Sequence, residues 1–218
     1  MTTRAITIVT ILFLARAASA AEVYFPDLSL AEKAEDHEKR QDYYRAVFKA
    51  FDEPSFLTLI ESGKASESPV FRFTWLRTFH RPVCIVFTAD EKSPKLNLKV
   101  LDGQAGYTNK LGKLVTEKTF NLRREDLTEF KRLLDEADYD DMQSIVDLGH
   151  AGAWLWDERD HRWLRSYSAA KDGSSWLLER SHGKSYWFVE RHNALKTSFG
   201  KACLHLLKSA GYDDGEGY

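Results

Sequence analysis

Val70-Phe71-Arg72-Phe73-Thr74-Trp75-Leu76-Arg77-Thr78-Phe79 is the stretch that decides the fold. Phe71, Phe73 and Trp75 alternate with Arg72 and Thr74, and a period of two predicts a half-buried β-strand. Pro82 punctuates, and residues 83–89 (VCIVFTA) predict a second strand with apolar residues on both faces. Asp90, Ser93 and Pro94 suit a turn. Leu96, Leu98 and Val100 mark a third strand, and residues 113–120 a fourth, beyond a loop over 102–112 that holds three glycines.

Upstream of this run the period changes to that of a helix. Ser29-Leu30-Ala31-Glu32 forms a capping box, and Tyr44, Val47, Phe48 and Phe51 put an apolar stripe on the helix it opens. The first half of that helix is expected in solvent and its last three turns docked. Residues 21–28 read as extended and loosely held. Pro54 ends the helix, and residues 55–62 predict a short second one. Downstream, Leu127, Phe130, Leu133 and Leu134 line one face of a helix over 122–137, with Asn121 as its N-cap. Residues 149–167 predict a tryptophan-rich hairpin or insertion. Leu195, Phe199, Ala202, Cys203, Leu206 and Ala210 mark a C-terminal helix that stops at Gly211.

Residues 174–180 and 184–191 predict one further hairpin. With His182 and Gly183 as a two-residue turn, Ser181 stands opposite Lys184, Trp176 opposite Val189 and Leu178 opposite Trp187. Trp176, Leu178, Trp187 and Val189 then share an apolar face beneath the C-terminal helix. Glu179 and Tyr186 share the other face. Glu179 is expected to reach the Tyr186 hydroxyl or an arginine, Arg191 or Arg77, as a structural polar network. Strands in one run, a helix, then strands and a closing helix give an α+β class: an antiparallel β-sheet covered by an N-terminal, a middle and a C-terminal helix.

The first twenty residues read as a cleavable secretory signal. Arg4 supplies the positive region, residues 5–15 (AITIVTILFLA) the apolar core, and Ala18-Ser19-Ala20 the cleavage site. Eleven apolar residues fall short of the roughly 20 that span a bilayer. Cleavage removes Arg4 and Arg16, which takes the net charge from −2 to −4. That balance excludes the basic excess of a nucleic-acid binder, and no later stretch is apolar enough to form a membrane span. The expected organisation is a signal peptide at 1–20, a helical segment at 21–69, a single α+β domain at 70–211 with an insertion at 151–170, and a disordered tail at 212–218. A hydrophobic fraction of 43% is enough to fill one core without metal. Cys84 and Cys203 can bond in an oxidising compartment, closing a long loop worth roughly 4 to 5 kcal/mol. The alternative is two buried thiols.

The chemical motifs are sparse. The seven histidines contain no pair four residues apart on a helix, the spacing that holds zinc. The acidic run Asp135–Asp141 fails the calcium-loop pattern, since Met142 and Gln143 fall where a ligand and a glycine are needed. No nucleophile elbow, phosphate-binding loop or dinucleotide fingerprint occurs, and no cofactor is implied. The candidate ligand-facing residues are Asp102 and Tyr107 in the glycine loop and Trp154, Trp156 and Trp163 in the tryptophan-rich segment.

Three stretches carry a resemblance: residues 75–83 (WLRTFHRPV), Leu101-Asp102-Gly103 with Gly106-Tyr107, and a C-terminal block. The block comprises Asp172-Gly173, Trp176, Leu178-Glu179, Tyr186, Val189 and Arg191, then the final helix to Gly211. In these the chain resembles an uncharacterised family of exported bacterial proteins, and the resemblance implies no activity and no site residues. The expected function is a non-catalytic exported binding or inhibitor module of the cell envelope, whose partner is an envelope protein or a glycan. A small envelope hydrolase with a dispersed histidine/carboxylate site is the alternative, and a purely structural envelope protein the third reading.

Overall fold

The computed structural model describes residues 22–26, 34–105, 110–142, 144, 154–157, 162–165 and 173–213. The signal segment, the capping box at Ser29 and the tail beyond Asp213 lie outside the described residues. Helices α1 (Ala34–Phe51) and α2 (Phe56–Glu61) are followed by strands β1 (Val70–Arg77), β2 (Val83–Thr88), β3 (Lys95–Leu101) and β4 (Leu114–Asn121). Helix α3 (Arg124–Glu136) leads to a small hairpin, β5 (Trp154–Asp157) and β6 (Arg162–Arg165). Strands β7 (Ser174–His182) and β8 (Ser185–His192) and helix α4 (Ser198–Ser209) complete the described elements.

Among the described residues six strands form one antiparallel sheet in the order β4-β3-β2-β1-β7-β8, and β5 and β6 pair separately. The protein is thus an α+β domain. The first four strands are a meander. β7 then returns to the free side of β1, with Phe73 opposite Leu178 and Trp75 opposite Trp176.

Both faces of this sheet are covered, and the parity of each strand sorts its residues between two cores. Phe71, Phe73 and Trp75 of β1 join Ile85, Leu98, Leu178 and Val189 beneath α3 and α4. Leu76, Cys84, Leu101, Leu177 and Phe188 face the other way, onto Tyr44, Val47, Phe48 and Phe51 of α1. β1 is therefore buried on both faces, not half-buried: Arg72 and Thr74 are wholly inaccessible. Residues 22–26 add to this second layer and are not loosely held. Tyr24 and Phe25 are buried, and the Gln41 side chain accepts from both their amides and donates to the Phe25 carbonyl at 2.7 Å. The edge strand β4, by contrast, is exposed along most of its length.

Three local expectations are corrected. In the β7–β8 hairpin Ser181 stands opposite Tyr186 and His182 opposite Ser185, so Gly183 and Lys184 make the turn. Gly183, at φ 55°, takes the first loop position, where a left-handed residue suits the strand twist. The register moves by two, and a shift of two preserves the faces. Trp176, Leu178 and Val189 lie in the α4 core with Trp187 packed against it. The N-cap of α3 is Arg123 without a side-chain cap bond, because Asn121 is the last paired residue of β4, opposite Lys95. The Cys84–Cys203 disulfide is absent. Both cysteines are free and buried, Cys84 in the α1 core and Cys203 in the α4 core, on opposite sides of the sheet.

Candidate functional site

Buried polar groups hold the α1 layer to the sheet. Glu179 receives Nε and Nη2 of Arg72 at 2.6 and 2.8 Å and the Tyr186 hydroxyl at 2.9 Å. Arg72 also donates to the Pro54 carbonyl at 2.6 Å, and its guanidinium lies between the rings of Phe48 and Phe56. Lys99 Nζ donates to Glu53 at 2.8 Å and to the carbonyls of Phe51 and Asp52. Burial acts to lower the pKa of each cation, but the carboxylates of Glu179 and Glu53 prevail and hold both above their ordinary values. This network fastens the α1–α2 connection to the sheet. The expected bond from Tyr186 to Glu179 is present, but the arginine is Arg72. Arg77 and Arg191 follow the parity of the α4 face, and Glu179 points to the α1 face.

The accessible chemistry sits where β1 turns into β2. Two depressions meet there. The larger, a groove of about 790 Å³, is lined by Leu98, Val100 and Phe120 at the margin of the α3/α4 core and by residues 210–213 that follow α4. Arg77, Arg81 and Lys118 line it, with Asp102 and Asp213. The smaller, of about 390 Å³, is walled by Trp75, Trp176, Thr78 and Leu195. Arg77, Phe79 and His80 line both. Volumes of roughly 300 to 1,000 Å³ are those of small-molecule pockets.

The ridge between the two is held by its backbone. Thr78 exchanges bonds with Gly173, its amide and hydroxyl donating to the Gly173 carbonyl at 3.2 and 3.0 Å. The Gln104 side chain donates through Nε2 to the Phe79 carbonyl at 3.2 Å. Arg77 lies 4.1 Å above the Trp75 ring and donates to the Arg81 carbonyl and the Tyr212 hydroxyl, each at 3.3 Å. Phe79 is nevertheless 60% exposed.

Of the candidate ligand-facing residues, Asp102 does line the groove, and its carboxylate accepts the Lys113 amide at 2.7 Å. That bond holds the loop closed, and Gly103 lets the strands of the loop approach. A Cβ on Gly103 would overlap the Lys110 carbonyl. Tyr107 lies outside the described residues, as do the side chains of Trp154, Trp156 and Trp163, although Trp156 pairs with Trp163 in the β5–β6 hairpin. Phe79, His80, Arg81 and Lys118 were not legible as site residues, because only the sheet order brings β4 and the β1–β2 loop to one groove. Among the described residues no three His, Cys, Asp or Glu side chains converge as a metal site needs, and no helix is long and apolar enough to cross a membrane. No family model, curated protein or solved structure matches this chain.

Proposed function

We propose that the chain is exported and, once its signal is removed, acts as a non-catalytic binding or inhibitor module of the cell envelope, with its ligand seated at the β1–β2 ridge. The observation that carries this is Phe79, 60% exposed between two depressions on a backbone tied to Gly173 and Gln104. A rigid exposed aromatic flanked by polar groups is the form of a recognition hot spot. From two of the stretches on which the family resemblance rests, Trp75, residues 77–81 and Asp102-Gly103 line the same ridge and groove.

The hydrolase reading draws on His80, Asp102 and Asp213 along one groove. The Asp102 carboxylate is engaged by the Lys113 amide, a structural bond that draws it from general-base work. The test is capture from envelope extract with the mature chain and with Phe79→Ala/Arg81→Ala. A protein, glycan or small molecule retained by the parent and lost by the variant supports the module. Turnover of ester, amide or glycosidic substrates that falls with His80→Ala would establish the hydrolase instead. Mass spectrometry of the exported protein should give Ala21 as the N-terminus, and intact Met1 on that material would overturn export.

A further inference from the structure

We infer that the ligand of this site is a small amphiphile with a single negative charge, its apolar body in the Trp75/Trp176 pocket and its anionic head at Arg81 and Lys118. The inference rests on the binding reading above and names the chemistry of the ligand. Three features of the two depressions carry it.

The first is the division of polarity. Phe79 and Leu195 are the accessible apolar side chains of the smaller depression, over a floor of the buried Trp75 and Trp176, with Thr78 and Asn193 also in its lining. The tryptophan rings sit 5.1 Å apart, centroid to centroid, so their contact faces are fixed by packing in the α4 core. The groove across the ridge has Leu98, Val100 and Phe120 in its lining but adds the charged groups of Arg81, Lys118, Asp102 and Asp213. A ligand that fills both must be apolar at one end and polar at the other.

The second is the state of the charges. Arg45, Arg123, Arg132 and Arg180 elsewhere on the surface each meet a carboxylate. Arg81 and Lys118, both exposed, have no carboxylate partner among the described residues. Asp102, one of the two aspartates in the same lining, is occupied by the Lys113 amide. The groove therefore offers two exposed cations to a ligand, while the Asp102 carboxylate is kept for the loop.

The third is the number of charges. Arg77, Arg81 and Lys118 stand against Asp102 and Asp213 in the lining, a formal excess of one positive charge among its arginine, lysine and aspartate side chains. A monoanion, such as a carboxylate, matches that excess, whereas a dianion meets repulsion from the two aspartates. Arg77 is already committed to Trp75, Arg81 and Tyr212 and acts as the wall between the two chambers.

The experiment is calorimetric titration of the mature chain with decanoate, n-decyl maltoside and decyltrimethylammonium, which share a tail and differ in charge. Arg81→Ala/Lys118→Ala and Phe79→Ala are titrated alongside, all three positions being exposed. Decanoate should bind at least about tenfold more tightly than the neutral maltoside, as expected where a charge-assisted contact is added, and the cation most weakly. The double variant should bring decanoate down to the affinity of the maltoside, while Phe79→Ala weakens both. Equal binding of decanoate and maltoside, decanoate affinity untouched by the double variant, or no decanoate binding overturns the inference. Decyl phosphate binding more tightly than decanoate overturns the monoanion assignment. Envelope capture that survives a saturating excess of decanoate, yet is lost in Phe79→Ala/Arg81→Ala, leaves the binding module standing and the amphiphile rejected.

Discussion

Arg72→Met tests the account of the second core. The guanidinium is fully buried and makes two charge-assisted bonds to Glu179 and one to the Pro54 carbonyl. Methionine has a similar unbranched length and keeps contact with Phe48 and Phe56, so packing loss is small and the electrostatic loss dominates. Removing one partner of a buried ion pair costs about 3 to 5 kcal/mol, because the remaining charge stays in a dry site. The orphaned Pro54 carbonyl adds about 1 kcal/mol or more. Against a total stability of about 5 to 15 kcal/mol, the variant should be close to unfolding. Glu179→Leu should cost a similar amount, leaving Arg72 uncompensated. The double variant removes both charges together, so its cost should fall well below the sum, with a coupling energy of about 3 kcal/mol. Urea unfolding followed by far-ultraviolet circular dichroism measures all three, with an unchanged denaturant slope as the check on two-state behaviour. A cost below about 1 kcal/mol for Arg72→Met, or an additive cycle, would refute the claim that this pair is buried and mutually dependent.

Four further outcomes are expected. Tyr43, desolvated and near Glu190, has its pKa pushed up to about 12, and burial raises Tyr44, Tyr139 and Tyr186 as well. The unfolded chain thus loses its phenolic protons first as pH rises past 10, and stability present below that value is lost on the way to about 12. Tyrosinate absorbance should then grow together with loss of circular dichroism, and a gradual titration of folded protein would contradict this. Neither cysteine should react with a thiol reagent in native protein, and both should react after unfolding without reductant, since Cys84 and Cys203 are free and buried. Trp176→Ala should cost about 3 to 5 kcal/mol by chemical denaturation, as for a large buried aromatic, given its contacts with Phe73 and Trp75. Phe25→Ala should be destabilising by a similar amount, and a melting temperature equal to the parent's would show that residues 22–26 are not part of the core.

The sequence by itself determined the order of the elements, the faces of the strands and the apolar stripes of the helices. These are local quantities: a period of two or of 3.6 shows which side chains point together. That is why the β7–β8 faces survive a register two residues away from the expected one, and why Tyr44, Val47, Phe48 and Phe51 dock as their spacing predicts. Periodicity carries no information on what covers a face or which strands become neighbours. The alternation of Arg72 and Thr74 with Phe71, Phe73 and Trp75 reads as solvent on one side, yet α1 and residues 22–26 close that side and turn its polar residues into a buried network. Arg72 finds Glu179 across 107 residues of chain, a pairing set by β7 lying beside β1. The same sheet order puts Cys84 and Cys203 on opposite faces. It also brings Lys118 of β4, Arg81 of the β1–β2 loop and Tyr212 beyond α4 around one groove. Such a site has no linear signature, because its residues become neighbours only after the non-local strand pairings and the two helical layers are in place.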